Sequence, residues 1–255
     1  MRITNMLNAK FKLNWPKVFT SKRSYGYTVS IAMLSCFLGI LVPGKWGLPL
    51  LNTIGIYPLF FYNLQNRNYR RALNQMLIWA VVMSITIILL SYAFNADIGS
   101  RIFRGEHYRD EMFQWIKTGI GEESMPSQFI PKHILHFILF VLLTIFTGGF
   151  ASLFFGSVLL NYMNYYVGSL FANSTNPLLL FLFAWQPWAI IRVIGYIAIA
   201  IGLSEISFSY FLKRPVKKDA IKNYFLGGLF CIILDLFLKT LLAPTWQKVL
   251  QSIVR

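Results

Sequence analysis

The chain's three histidines, His107, His133 and His136, lie within or just beyond a single polar stretch, and Asp97, Glu106, Asp110, Glu111, Glu122 and Glu123 lie in that stretch as well. Imidazole nitrogen together with carboxylate oxygen is the donor set of zinc, iron and manganese sites. On a helical reading His107 and Glu111 share a face at i, i+4, and His133 and His136 share one at i, i+3. His107, Glu111, His133 and His136 are therefore the candidate ligands of a divalent metal, which is the cofactor these residue types point to. The spacing is neither HExxH nor a nucleophile elbow. The same residues also read as a solvated loop running into the start of a helix.

A second set stands out by its surroundings. Arg192 lies inside an apolar run, where a guanidinium is costly and faces a partner or a wet cavity. Asp235 and Lys239 lie in another apolar run and form an i, i+4 pair, so each has a local partner. If the runs alternate in direction, His133, His136, Arg192, Asp235 and Lys239 come to one depth. They form a candidate acid–base or catalytic site, with snorkelling and structural ion pairing as the plainer explanation of each residue singly. Glu205 falls near the far end of the Arg192 run and is expected to reach the interface there.

The elements that must hold these residues follow from composition. The sequence is 56% hydrophobic and 13% charged, about half the charged fraction of a soluble domain. Its apolar stretches approach the twenty or so residues of a bilayer crossing, and a spanning segment must pair its own backbone amides. The expected fold is all-α, a polytopic transmembrane helix bundle of about seven spans at 25–42, 46–64, 76–94, 129–147, 150–171, 188–211 and 224–242. Gly148-Gly149 separates the fourth and fifth, and Pro187 separates a short piece at 178–185 from the sixth. A single helix over 133–160 is the six-span alternative. Residues 1–24 form a basic amphipathic surface segment. Spans one to three occupy 25–94, one polar extracytoplasmic segment occupies 95–132, spans four to seven occupy 133–243, and 244–255 is a C-terminal tail.

A net charge of +15 raises the question of nucleic acid, but the basic residues flank apolar runs in short clusters, the pattern of orienting loops beside anionic lipid. Membrane lipid is the expected partner and nucleic acid is not. With the N-terminus cytoplasmic, the segments around Arg2–Arg23, Arg67–Arg71 and Lys213–Lys222 face the cytoplasm with Asp219 as their sole acid. That balance satisfies the positive-inside rule for a protein of the cytoplasmic membrane. Gly148, Ser152 and Gly156 make a small-residue ladder suited to close helix packing, against a membrane-protein partner or a second copy. Cys36 and Cys231 lie in apolar runs and suggest neither a disulfide framework nor a CxxC pair. Trp185-Gln186-Pro187-Trp188 and the 161–166 Asn/Tyr cluster read as interfacial belts, with Asn161 and Asn164 able to bond across helices. Without a GxxxxGK[ST] loop the chain carries no ATP motor of its own. Two functions remain open: a non-catalytic transport component or assembly and accessory factor, and a metal-assisted hydrolase or transferase acting on a lipid or membrane-bound substrate at the outer face.

Overall fold

The computed structural model describes residues 16–254, so most of the expected amphipathic segment at 1–24 lies outside the described residues. In chain order the helices are α1 Lys17–Thr20, α2 Arg23–Leu41, α3 Gly47–Gln65, α4 Tyr69–Ala93, α5 Asn95–Gly99, α6 Gly105–Thr118, α7 Pro126–Thr147, α8 Phe150–Ala172, α9 Pro177–Phe183, α10 Pro187–Phe211 and α11 Lys218–Ile253. No strand occurs among the described residues. Five of these helices, α2, α4, α7, α10 and α11, are long and apolar enough to cross a membrane. α3 and α8 match them in length, but asparagine, tyrosine and proline lower their mean hydropathy.

Proline and glycine set the boundaries. Pro126, Pro177 and Pro187 occupy the first turns of α7, α9 and α10, where a missing N–H costs nothing and the fixed φ favours entry. Gly148 and Gly149 take φ of +59° and +87°, the left-handed backbone that ends α7. The chain folds back there, bringing His136 against Phe155 of α8, and the single helix over 133–160 does not form. α11 runs through Pro244 to Ile253, so the expected tail at 244–255 is helical as far as Ile253. At 1.5 Å per residue α11 is about 54 Å long, well beyond a hydrocarbon core of about 30 Å.

The excess length of α11 serves a cap at one end of the bundle. Gln251 Nε2 donates to the Lys117 carbonyl at 2.9 Å, Gln247 donates to that of Ile116, and Trp246 Nε1 donates to that of Phe183 at 2.8 Å. α6, α9 and the last turns of α11 thereby form one layer. Trp188, expected in an interfacial belt, is instead fully buried in this layer, its ring beside that of Trp246.

Polar side chains bond the long helices to one another, as suits helices that gain nothing from burying apolar faces in lipid. Ser35 Oγ donates to Asn52 Oδ1 at 2.8 Å, Asn52 Nδ2 to Asn161 Oδ1 at 3.3 Å, and Asn164 Nδ2 to Ser84 Oγ at 2.9 Å. Both asparagines of the 161–166 cluster therefore reach across to other helices. α10 and α11 pack backbone to backbone at Gly195 and Gly228, where a Cβ on Gly228 would sit 2.6 Å from the Gly195 carbonyl oxygen. At the end opposite the cap, Glu205 is fully buried. Arg214 Nη2 lies 2.6 Å from its Oε2 and Arg67 Nη2 lies 3.2 Å from its Oε1, tying the α3–α4 turn to the α10–α11 turn.

Candidate functional site

One face of α7 presents Phe129, Lys132, His133, His136 and Phe140, a spacing of three and four that keeps them on one side of the helix. α10 does the same with Ala189, Arg192, Val193 and Tyr196. These faces, with α8, Trp79 of α4, Tyr108 of α6 and Lys239 of α11, line a partly open cavity of about 270 Å³ beneath the cap. Four of the five residues expected to converge, His133, His136, Arg192 and Lys239, line it directly. The fifth, Asp235, stands behind Arg192.

The Arg192 fork grips Asp235 with two parallel bonds, Nε to Oδ2 at 2.8 Å and Nη2 to Oδ1 at 2.9 Å, the strongest geometry open to this pair of groups. Lys239 does not make the local pair with Asp235. Its ammonium lies 3.0 Å from Glu123 Oε1 and 4.4 Å above the Phe129 ring, a cation–π placement. Two more pairs complete the lining: Lys132 with Glu122, and Arg104 with Glu111 at 3.3 Å. The four cations and four carboxylates of this set thus match one to one, across α5–α6, the 119–125 turn, α7, α10 and α11.

His133 is held by a bond that fixes its chemistry. A carbonyl can only accept, so the 2.8 Å contact from Nδ1 to the Phe129 carbonyl is an N–H donation, and in the neutral ring Nε2 carries the lone pair. Nε2 lies 3.9 Å from Asp235 Oδ2, an ion pair when the ring is doubly protonated. It makes no hydrogen bond, and neither do Glu123 Oε2 or Trp79 Nε1, all three buried. Buried polar atoms without partners are rare and costly, and three of them here belong to residues lining one cavity. Tyr108 and Tyr162 bring their rings to 4.6 Å along the same wall. Burial, and secondarily the charge of Glu123, hold the Tyr108 phenol well above its ordinary value, so it is a neutral hydroxyl at physiological pH.

The proposed metal set is divided. His107 is exposed, with Nδ1 3.3 Å from Glu111 Oε1, and Glu111 also holds Arg104; His133 and His136 face the cavity from α7. No group of three or more His, Cys, Asp or Glu that could hold a metal occurs among the described residues. Glu122, Glu123, Lys132, Tyr108 and Tyr162 belong to the lining but were not singled out as site residues, because no spacing links them to Arg192 or Lys239. The small-residue ladder is also divided: Gly148 lies in the turn, while Ser152 and Gly156 line the cavity, with open space where a Gly156 Cβ would stand.

The arrangement can bind a polar group among paired charges in low dielectric and move a proton at His133 Nε2. No protein-family model, curated protein or solved structure matches this chain, and its function is read from this geometry alone.

Proposed function

We propose that the chain is an integral protein of the cytoplasmic membrane whose cavity binds the polar part of a membrane-bound substrate and carries out acid–base chemistry on it, as a hydrolase or transferase. Seven helices, α2, α3, α4, α7, α8, α10 and α11, cross the bilayer. The end holding Arg67–Arg71 and Lys213–Lys217 faces the cytoplasm, because lysine and arginine accumulate on that side. The capped end, with the cavity beneath it, faces outward.

The observation that carries the reading is two buried ion pairs, Arg192–Asp235 and Lys239–Glu123, beside a cavity where His133 Nε2 and Glu123 Oε2 are left without partners. Stability does not account for such a set, since apolar replacement of a buried ion pair is often neutral or stabilising. A substrate hydroxyl can donate to one of these acceptors, and an amine has hydrogens enough for both. His133 Nε2 takes the proton from a substrate hydroxyl, or from water, as that oxygen bonds to the carbonyl carbon or phosphorus of an ester; the imidazolium faces Asp235 Oδ2 at 3.9 Å and returns the proton to the leaving oxygen as the ester bond breaks. Tyr108 offers a neutral hydroxyl as donor. A non-catalytic transport component is the second reading, favoured by the complete pairing of the fixed charges, which leaves the cavity neutral toward a cargo.

His133→Asn separates the two, because asparagine keeps a donor toward the Phe129 carbonyl while deleting Nε2. Native mass spectrometry of the protein extracted from its membrane, scored beside complementation of a deletion strain, reads the outcome. For the enzyme, His133→Asn retains a bound small molecule and abolishes complementation. Retention of both supports the transport component, and identical spectra without a bound molecule in the wild type and in Arg192→Lys refute the binding site itself.

A further inference from the structure

A second cavity of about 400 Å³ adjoins the first. The two share Tyr108, Leu160, Met163, Ala189 and Val193 as common wall, yet their chemistry differs. The first is ringed by the ion pairs; the second has no charged side chain among its described lining residues, which are mostly apolar, Leu77, Ala80, Val167, Ile190 and Ile194 among them, with Ser84, Asn164 and Gln186 as uncharged polar members. Its mouth opens between α4 and α10, where Val81 and Ile190 are 57% and 49% exposed on helices long and apolar enough to cross a membrane. In a bilayer this opening meets hydrocarbon, and the charged cavity lies across the shared wall.

We infer that the two cavities form one amphiphile site: a membrane lipid with a long hydrocarbon chain enters sideways between α4 and α10, lays its chain in the second cavity and presents a hydroxyl- or amine-bearing headgroup to His133 and Glu123. This rests on reading the charged cavity as the polar site and names the class of molecule that occupies it. An apolar cavity open to lipid is filled by the solvent it meets, because unfilled walls forfeit dispersion contacts. Continuity with a polar cavity selects a chain that is tethered to a polar group. The shared wall, made by α6, α8 and α10, is where headgroup and chain join. Tyr108 stands there with an apolar ring and a polar tip, suited to that boundary.

The test is photolabelling in nanodiscs of phosphatidylglycerol doped with a phosphatidylglycerol carrying a diazirine within one acyl chain, followed by peptide mapping. The expected label concentrates on α8 and α10 peptides containing Met163, Val167 and Ile194, above the lipid-facing α11 peptide with Phe230 and Phe237. Ala80→Trp, which fills the second cavity, and Ile190→Trp, which blocks its exposed mouth and leaves the core untouched, both reduce that label to the α11 level. Uniform labelling of the lipid-facing and chamber peptides overturns the inference, as does undiminished chamber labelling in a folded Ile190→Trp variant. The polar-site reading fails separately: chamber labelling that persists while Arg192→Lys and His133→Asn complement fully leaves a lipid-chain site without the chemistry. Loss of complementation in those two variants with no chamber labelling leaves the chemistry without the lipid chain.

Discussion

The Arg192–Asp235 pair has the geometry of a structural strut and the position of a working site. Truncating one partner leaves a buried charge alone: Arg192→Gln should lower stability by about 3–5 kcal/mol, whereas Arg192→Leu with Asp235→Leu should recover most of that loss. Thermal unfolding in detergent of the three proteins side by side checks this, and a double variant as unstable as the single one would mean that the space cannot accept apolar packing. Arg192 and Asp235 were conspicuous in the sequence, since a charge within an apolar run needs a reason. Their partnership was not legible there. Local spacing favoured Asp235 with Lys239, but helix rotation turns Asp235 toward α10 and Lys239 toward Glu123, and neither rotation nor the course of the 119–125 turn is written in residue spacing. His133 followed the same logic: its type marked it, while the carbonyl that fixes its tautomer became evident only with α7 in place.

At the scale of elements, the site depends on how closely α10 and α11 approach. The contact at Gly195 and Gly228 sits one turn from Arg192 and two turns from Asp235, so a methyl group there separates the two helices that supply the fork. Gly228→Ala should cost about 1–3 kcal/mol as overpacking, while Gly156→Ala, which meets open space, should leave stability unchanged; melting temperatures of the two variants decide it. The reverse order would return the tight packing to the Gly148, Ser152 and Gly156 ladder. That ladder was the sequence's most visible small-residue pattern, and the true close approach was missed because Gly195 and Gly228 lie in different helices with no shared period. Proline and glycine at 148–149 and 187 were more informative. A left-handed turn and a missing N–H act on the local backbone alone, so the separation of α7 from α8 and of α9 from α10 could be read without any tertiary contact. The helical course of residues 244–253 could not, because it is the contact with α6 and α9 that holds those last turns.

At the scale of the whole molecule, buried charge gathers at two levels, thirteen residues apart on α10 and so about 20 Å along its axis. Glu205 with Arg67 and Arg214 ties the turns at one end; Arg192, Lys239 and Glu123 line the cavity toward the other, with Asp235 behind Arg192. The first cluster is a staple between turns: Glu205→Gln should lower stability without altering any molecule bound at Arg192, as native mass spectrometry of the folded fraction would register. The orientation of the bundle sets the side from which the cavity is reached. Reporter fusions after Arg71 and after Lys217 should read cytoplasmic, and one at Gly121 should read external, following the distribution of basic residues. A cytoplasmic signal at Gly121 would move the capped end, and the site with it, to the inner face. The paired replacement also decides whether the protein works at this cavity. The Arg192→Leu, Asp235→Leu protein, shown to insert and to melt close to the wild type, is scored for complementation of a deletion strain at matched membrane abundance. Complete loss of complementation is the predicted result, since the packing survives and the polar site does not; full complementation would show that the ion pair is only a strut and that the cavity it lines is not where the protein works.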